Sequence, residues 1–94
     1  MKKTFMEILV ESLAAADKEF VGKFAVQDKD GTFHFFADRP SRKLKTHHWD
    51  STMGPIDSLI GTQLYSDWHG SRLSRVGYDS YTAYMLRKEN NEDV

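Results

Sequence analysis

The sequence predicts a single small α+β domain in which helices cover one face of an antiparallel sheet. Three observations lead to this prediction: a helical apolar stripe near the N-terminus, two aromatic segments of period two that flank a turn signal, and a second helical stripe after Pro55. The 94 residues fit one domain, residues 1–94, and 39% apolar with 13% aromatic residues is enough for a core.

The first element is an amphipathic helix over roughly residues 5–17. Thr4 and Glu7 match the capping-box pattern, in which each side chain binds the backbone N–H of the other residue. Glu7 and Glu11 lie one turn apart and form a small acidic patch outside the apolar stripe. The stripe, which is expected to cover the sheet, consists of Phe5, Ile8, Leu9, Leu13 and Ala16.

A β-hairpin is predicted after this helix, with strands at residues 20–26 and 32–37. The turn between them is Asp28-Lys29-Asp30-Gly31, where Gly31 can take the positive φ that closes a short hairpin. The period of two gives each strand two distinct faces. Phe33 and Phe35 share one face and His34 and Phe36 the other, while Phe20, Gly22, Phe24 and Val26 share a face of the first strand.

The hairpin is followed by residues 39–54, which lack a clear period and are predicted to be a long basic loop. Pro40 ends the preceding strand, because proline has no N–H for the ladder. Pro55 suits the first position of a second helix over residues 55–69, and Gly70 would end it. The apolar stripe of this helix is Ile56, Leu59, Ile60, Leu64 and Trp68.

The C-terminal segment has two interpretations. Asp79 could cap a helix that carries Tyr81 and Tyr84 on its face, or the Tyr- and Thr-rich residues 80–87 could form a third strand. The helix is the favoured interpretation of the two. The polar tail, residues 89–94, is predicted to fray.

Composition excludes several classes of protein. The chain has no cysteine, which rules out disulfides and thiolate zinc sites and favours a reducing compartment. No apolar run approaches the roughly 18–20 residues that span a bilayer. Glu7 and Glu11 interrupt any signal-peptide pattern after the basic N-terminus. A cytoplasmic location without membrane contact is therefore predicted.

The net charge of −1 conceals a basic middle, since residues 39–75 carry six Lys or Arg and three Asp or Glu. Within it, residues 39–49 hold four Lys or Arg, two His and no acid. Cations at this density bind acidic protein surfaces or phosphates, and Trp49 with the His rings could stack on an unpaired base. The alternative is a solvated loop whose cations offset nearby acids. The predicted binding residues are Arg39, Arg42, Lys43, Lys45, His47, His48, Trp49, Arg72 and Arg75.

Other chemistry receives less support. A set of imidazole and carboxylate side chains invites a metal hypothesis, but its spacing follows no known ligand pattern, so no metal or cofactor is predicted. Ser, His and Asp occur without a nucleophile elbow, although a catalytic triad is recognised by geometry and not by spacing. His34 is interpreted as an exposed strand residue, with a pH switch as the alternative. The set considered for metal is His47, His48, Asp50, Asp67 and His69.

These observations favour a small non-enzymatic regulator that binds a partner protein with an acidic surface. In size and composition the chain is similar to short accessory proteins of phages and other mobile elements, and this resemblance implies binding to a host protein. The first alternative is a nucleic-acid-binding module that uses residues 39–49, and the second is a small metal-dependent or hydrolytic enzyme. A contact surface or homodimer interface is also expected from five aromatic residues, Tyr65, Trp68, Tyr78, Tyr81 and Tyr84.

Overall fold

The computed structural model describes residues 3–43 and 48–90, without the side chains of His69 and Asn90. Over these residues the chain is mixed α+β, with two α-helices and antiparallel sheets, which confirms the predicted class. In chain order the elements are α1 (Phe5–Ala16), β1 (Phe24–Gln27), β2 (Thr32–Phe36), β3 (Ser41–Lys43), β4 (His48–Asp50), β5 (Asp57–Ile60), a 3₁₀ turn (Trp68–Gly70), β6 (Leu73–Ser74) and α2 (Arg75–Asn90).

The first helix, α1, begins where its sequence predicts and ends within one residue of the predicted end. The Glu7 N–H donates to Thr4 Oγ1 at 3.1 Å, and the Thr4 N–H donates to Glu7 Oε1 at 2.8 Å. This backbone N–H of Thr4 lowers the pKa of Glu7 below its usual range. The helix ends at Asp17, which has a left-handed backbone with φ 53° and caps the carbonyls of the last turn.

The main sheet has four antiparallel strands in the order β5-β2-β1-β6. The central pair is the predicted hairpin, in which β1 and β2 are aligned with Phe24 opposite Phe36. On the outer side of β2, β5 places Ser58 opposite His34. The short strand β6 pairs with β1 on the other side and leads directly into α2.

Each face of this sheet has its own core. The helix-side core lies under α1, and the opposite face carries the smaller hairpin-side core. The helix-side core contains Phe5, Ile8, Leu9, Leu13, Phe20, Ala25, Phe33, Phe35 and Leu59. The hairpin-side core contains Val26, Phe36, Trp49 and Trp68, with Phe24 packed against them.

The two cores confirm most of the predicted alternation, with one exception. Phe33 and Phe35 face the helix side and Phe36 faces the opposite side, as expected. Phe20 was predicted on the face of Phe24 but belongs to the helix-side core. The reason is Gly22, whose φ of 76° interrupts the extended chain before β1 begins. A Cβ at Gly22 would lie 2.6 Å from the Phe36 carbonyl oxygen, so this bend also needs glycine for space.

The predicted second helix over residues 55–69 is wrong. Residues 57–60 form the edge strand β5, and a 3₁₀ turn follows at Trp68–Gly70. The apolar spacing of this segment does not correspond to a buried helix face, because Ile60 is 84% exposed while Leu59 is buried. The Gly61 N–H donates to the Gly31 carbonyl at 3.0 Å, which extends the pairing with β2. Tertiary pairing therefore outweighs the local helical spacing.

The predicted loop over residues 39–54 is also partly wrong, because it contains a second hairpin. Strands β3 and β4 pair in a two-stranded antiparallel sheet, with Arg42 opposite Trp49. Residues 44–47, which connect the two strands, lie outside the described residues. The hairpin is ordered by the burial of Trp49 against the main sheet, which an unpatterned loop sequence does not reveal.

The helical interpretation of the C-terminal segment is confirmed by α2, but Asp79 is not its cap. The helix begins at Arg75, and Ser74 Oγ accepts the Gly77 N–H at 3.1 Å. Asp79 lies inside the first turns and pairs with Arg75 at 3.0 Å. Of the tail predicted to fray, residues 89–90 continue the helix and residues 91–94 lie outside the described part. Neither described helix is long and apolar enough to cross a membrane.

The buried Gln27 side chain ties the connection between β5 and β6 to the centre of the sheet. Its Nε2 donates to the carbonyls of Gly31 at 2.9 Å and Gln63 at 2.8 Å. Its Oε1 accepts the Tyr65 N–H at 2.8 Å. The Gln27 amide thus supplies hydrogen-bond partners to the backbone of residues 63–65, which belong to no strand.

Candidate functional site

The structure brings some of the predicted binding residues together around the β3–β4 hairpin. Arg39, Arg42 and Lys43 are exposed on or beside β3. Arg72 joins them from the chain before β6, because its Nη1 donates to the Pro40 carbonyl at 3.3 Å. We call these four cations, Arg39, Arg42, Lys43 and Arg72, the cationic hairpin surface.

Two other predicted residues are placed differently, and two lie outside the described part. His48 is half-buried in β4. Arg75 belongs to the helix side, because its Nη1 donates to the Phe20 carbonyl at 2.8 Å and its Cζ lies 5.6 Å from the Phe20 ring centre. It is therefore held apart from the cationic hairpin surface. Lys45 and His47 lie outside the described residues.

Trp49 anchors the hairpin to the main sheet. Its side chain is only 6% exposed, and its Nε1 donates to the Trp68 carbonyl at 3.3 Å. The Arg72 guanidinium lies 5.9 Å from its ring centre, within range of a cation–π contact. A buried ring offers no free face to a nucleic-acid base, so Trp49 supports the surface through packing and not by the stacking considered above.

Asp28 provides the polar half of the same anchor. This buried carboxylate accepts the Trp49 N–H on Oδ1 at 2.8 Å, which links β4 to the end of β1. Its Oδ2 lies 2.9 Å from His34 Nε2. The other ring nitrogen, Nδ1, lies 2.6 Å from Ser58 Oγ. Asp28, His34 and Ser58 therefore form one continuous hydrogen-bonded chain.

The prediction for His34 as an exposed strand residue is wrong. The side chain is 22% exposed and both ring nitrogens are engaged. Sequence spacing could not reveal this chain, because Asp28, His34 and Ser58 come from three strands or strand ends. The sequence did contain one signal, which is the alternation of side chains between the two faces of a strand. Val26 and His34 are paired and share a face, and Asp28, two residues beyond Val26, falls on that same face.

Acidic residues border this region and have their own partners. Asp50 Oδ1 accepts the Ser51 N–H at 2.9 Å. The Ser58 N–H, followed by the Lys18 ammonium, lowers the pKa of Asp57. The Thr32 N–H is the main cause that lowers the pKa of Asp30, in the β1–β2 turn. Because their pKa values are lowered, Asp30 and Asp57 are ionised and negatively charged at neutral pH.

The residues considered for a metal site do not gather in the described part of the chain. Among the residues that the structure describes, no group of three or more His, Cys, Asp or Glu side chains could hold a metal ion. His47 and the side chain of His69 lie outside the residues on which this statement rests.

The aromatic residues predicted to form a contact surface are divided between core and surface. Trp68 is buried, and Tyr65 and Tyr78 pack against the helix-side core. Tyr84 is 54% exposed on the outer part of α2. There Tyr81 and Met85, with Val10 of α1, line an apolar groove. Self-association through this region stays a prediction.

Comparison of the chain with protein-family models, curated proteins and solved structures finds no match.

Proposed function

We propose that the protein is a small regulator that binds an acidic surface of a partner protein through the cationic hairpin surface, and that this binding needs no catalysis. The observation that supports this proposal is the combination of exposed cations with a buried anchor. Arg42 lies directly opposite Trp49 in the ladder, and Arg72 lies against the same ring. Because Trp49 and Asp28 hold the hairpin, its outer cations can serve binding without being needed for folding.

A protein partner is favoured over nucleic acid by two features of the chain. The Trp49 ring is buried, which removes the aromatic platform that single-stranded nucleic acid uses. The basic region is also short, and residues 1–38 and 76–94 are each net negative. A long polyphosphate would meet these acidic flanks, whereas a compact acidic patch on a protein would not.

The proposed setting follows from the same considerations. A cysteine-free domain that needs no disulfide suits the cytoplasm. Phage or mobile-element accessory proteins, which the chain resembles in size and composition, act there by occupying the surface of a host protein. On this proposal the partner contributes clustered Asp and Glu side chains, and ion pairs with Arg give orientation and a fast association rate.

The test is an affinity pull-down from a cell lysate that is divided into nuclease-treated and untreated halves. The bait is the wild-type protein, compared with a double charge reversal at the site, Arg42→Glu and Lys43→Glu. The matched control reverses two exposed cations at the end of α2, Arg87→Glu and Lys88→Glu. Both double variants change the net charge equally, so only a contact at the hairpin distinguishes them.

A discrete protein that survives nuclease, is lost with the hairpin variant and is retained with the α2 variant supports the proposal. The captured protein is then titrated with purified bait at increasing salt. Loss of all enrichment on nuclease treatment identifies nucleic acid as the partner instead. Its affinity would then fall with a log–log salt slope of about −0.7 for each phosphate contacted on a single strand.

A further inference from the structure

We propose that Ser58 is a nucleophile activated by His34 and Asp28, and that it accepts the acyl group of carboxylic esters. This inference is independent of the cationic hairpin surface, which contributes none of the three residues. It rests on the spatial arrangement of the three groups. The hydroxyl contacts the imidazole and the imidazole contacts the carboxylate, which is the arrangement that activates a serine nucleophile.

The hydrogen bonds determine which nitrogen of His34 carries the proton. A carboxylate only accepts hydrogen bonds, so the 2.9 Å contact to Asp28 Oδ2 requires a proton on His34 Nε2. The neutral ring then has a lone pair on Nδ1. The Ser58 hydroxyl, 2.6 Å away, donates its proton toward that lone pair. His34 is thus placed as the general base, and Asp28 holds its tautomer.

The three groups are positioned by strands and not by loops. His34 and Ser58 are opposite one another in the β2–β5 ladder. The Gly61 N–H bonds to the Gly31 carbonyl, and because bonded pairs alternate in antiparallel ladders, His34 and Ser58 form a non-hydrogen-bonded pair. Side chains of such pairs lie closest together.

Asp28 is oriented just as firmly. Its own N–H donates to the Thr32 carbonyl at 2.9 Å, so the residue continues the β1–β2 ladder diagonally from His34. The Trp49 N–H holds the carboxylate oxygen that does not contact His34. Rigid support of this kind is what a preorganised site needs.

The carboxylate is the buried end of this hydrogen-bonded chain, and the hydroxyl end lies on an edge strand. The Asp28 side chain is 11% exposed and that of His34 22%, and Ser58 is half-buried on the outermost strand of the sheet. A substrate can therefore approach over the face of β5 that carries Ser58, whereas at the outer edge the Lys18 ammonium contacts the Ser58 carbonyl at 3.2 Å. Ile60 lies two residues further along β5, on the same face as Ser58, and is 84% exposed. This side chain offers an apolar contact to an aliphatic acyl group.

The acylation step is a conventional transfer. Ser58 Oγ attacks the ester carbonyl carbon while its proton moves to His34 Nδ1, and the carbonyl π electrons move to oxygen. The tetrahedral adduct collapses, the C–O bond to the alcohol breaks, and the leaving oxygen takes the proton from Nδ1. The products are an acyl ester on Ser58 and the free alcohol. Water then attacks this acyl ester by the same proton route, which regenerates Ser58 and releases the carboxylic acid.

One nearby donor is already engaged. The Ser58 N–H donates to Asp57 Oδ1 at 2.8 Å and so does not stabilise an oxyanion. Losing one oxyanion donor typically slows an enzyme about 10²–10³-fold. Activated aryl esters, whose leaving groups are good, are therefore the appropriate substrates, and slow deacylation should leave the acyl group on Ser58.

The first experiment treats the full-length protein with p-nitrophenyl butyrate and follows p-nitrophenol release and intact mass. We expect a burst of about one equivalent per chain and an acyl group that peptide mapping places on Ser58. Ser58→Ala should abolish the burst, whereas Ser80→Ala, which removes an exposed serine of α2, should retain it. Circular dichroism of each variant verifies folding.

The second experiment does not depend on an ester. The chain lacks cysteine, so Ser58→Cys and Ser80→Cys each introduce a single thiol. At pH 7 the Ser58→Cys thiol should be alkylated by iodoacetamide at least about ten times faster, because imidazole promotes the thiolate. Adding His34→Gln should remove that advantage. Absence of acylation at Ser58, or equal alkylation of the two single thiols, overturns the proposal.

Discussion

The two faces of the four-stranded sheet are built from alternate residues of the same strands, yet they are stabilised differently. On the helix side, α1 covers a continuous apolar layer in which Phe5 lies 5.6 Å from Phe33 and Phe20 lies 5.2 Å from Phe35, measured between ring centres. On the hairpin side the core is smaller and is completed by polar contacts, among them the buried hydrogen bond from the Trp49 N–H to Asp28 Oδ1.

This difference indicates a division of roles within one sheet. Apolar burial contributes in proportion to area, so the larger helix-side core supplies most of the stability. The hairpin side can then hold polar groups that an apolar layer would exclude. The burial of Asp28 and His34 costs little because both are hydrogen-bonded, and both proposed activities lie on this side.

The largest expected effect comes from opening the helix-side core. Phe33→Ala removes a fully buried ring that contacts α1 and should lower the free energy of unfolding by about 4–5 kcal/mol. Small domains have only about 5–15 kcal/mol in total, so this variant should be largely unfolded at mild denaturant. Urea unfolding followed by circular dichroism measures the change. A loss below about 1 kcal/mol would contradict a dominant helix-side core.

A smaller and more local effect is expected from the hairpin-side core. Trp49→Ala should cost about 3 kcal/mol, at the low end for such truncations, because a short hairpin can relax. Hydrogen exchange should show that residues 41–43 and 48–50 lose protection while α1 keeps it. Equal loss of protection in α1 would mean that the two faces unfold as one unit.

A substitution at Asp28 tests the polar part of the anchor. Asp28→Asn keeps an acceptor for the Trp49 N–H, but its amide would donate to His34 Nε2. The His34 proton should therefore move to Nδ1, and stability should fall by about 1–2 kcal/mol. Nitrogen-15 NMR of the ring reports the tautomer directly. An unchanged tautomer would show that another group orients His34.

The smallest effect concerns acid sensitivity at the start of α1. The pKa of Glu7 is lowered in the folded state, mainly by the Thr4 N–H. The unfolded chain therefore binds a proton first as the pH falls, so this stabilisation is present above pH about 4.3 and is lost as the pH falls through the folded pKa. Glu7→Gln should be less stable than wild type at pH 7, and the difference should shrink toward pH 2 in thermal unfolding. A constant difference across that range would contradict the capping role of the carboxylate.

Local features were predictable from sequence, whereas long-range ones were not. Thr4 with Glu7 predicted where α1 begins, and the turn at Asp28–Gly31 predicted the central hairpin, because each signal lies within a few residues. The strand at Asp57–Ile60 was missed because its apolar spacing is also helical. Only its partner strand, about 25 residues earlier, decides between the two.

The candidate site also has features that the sequence predicted and features that it did not. The exposed cations Arg42 and Lys43 follow from charge alone, since charged side chains rarely enter a core. The burial of Trp49 does not follow, because the depth of an aromatic residue depends on what the sheet places beneath it. The Asp28–His34–Ser58 chain requires register between three strands, which no local pattern specifies.

The buried Gln27 amide also has a consequence for the order in which the chain assembles. The β1–β2 hairpin is closed by a four-residue turn, so its strands can pair early, at low loop-closure cost. Residues 63–65 take their hydrogen-bond partners from Gln27, a residue of that hairpin. The strand β6 and the helix α2 come later in the chain than these residues. The β1–β2 hairpin therefore offers a template onto which the later segments can add in the order in which they are synthesised.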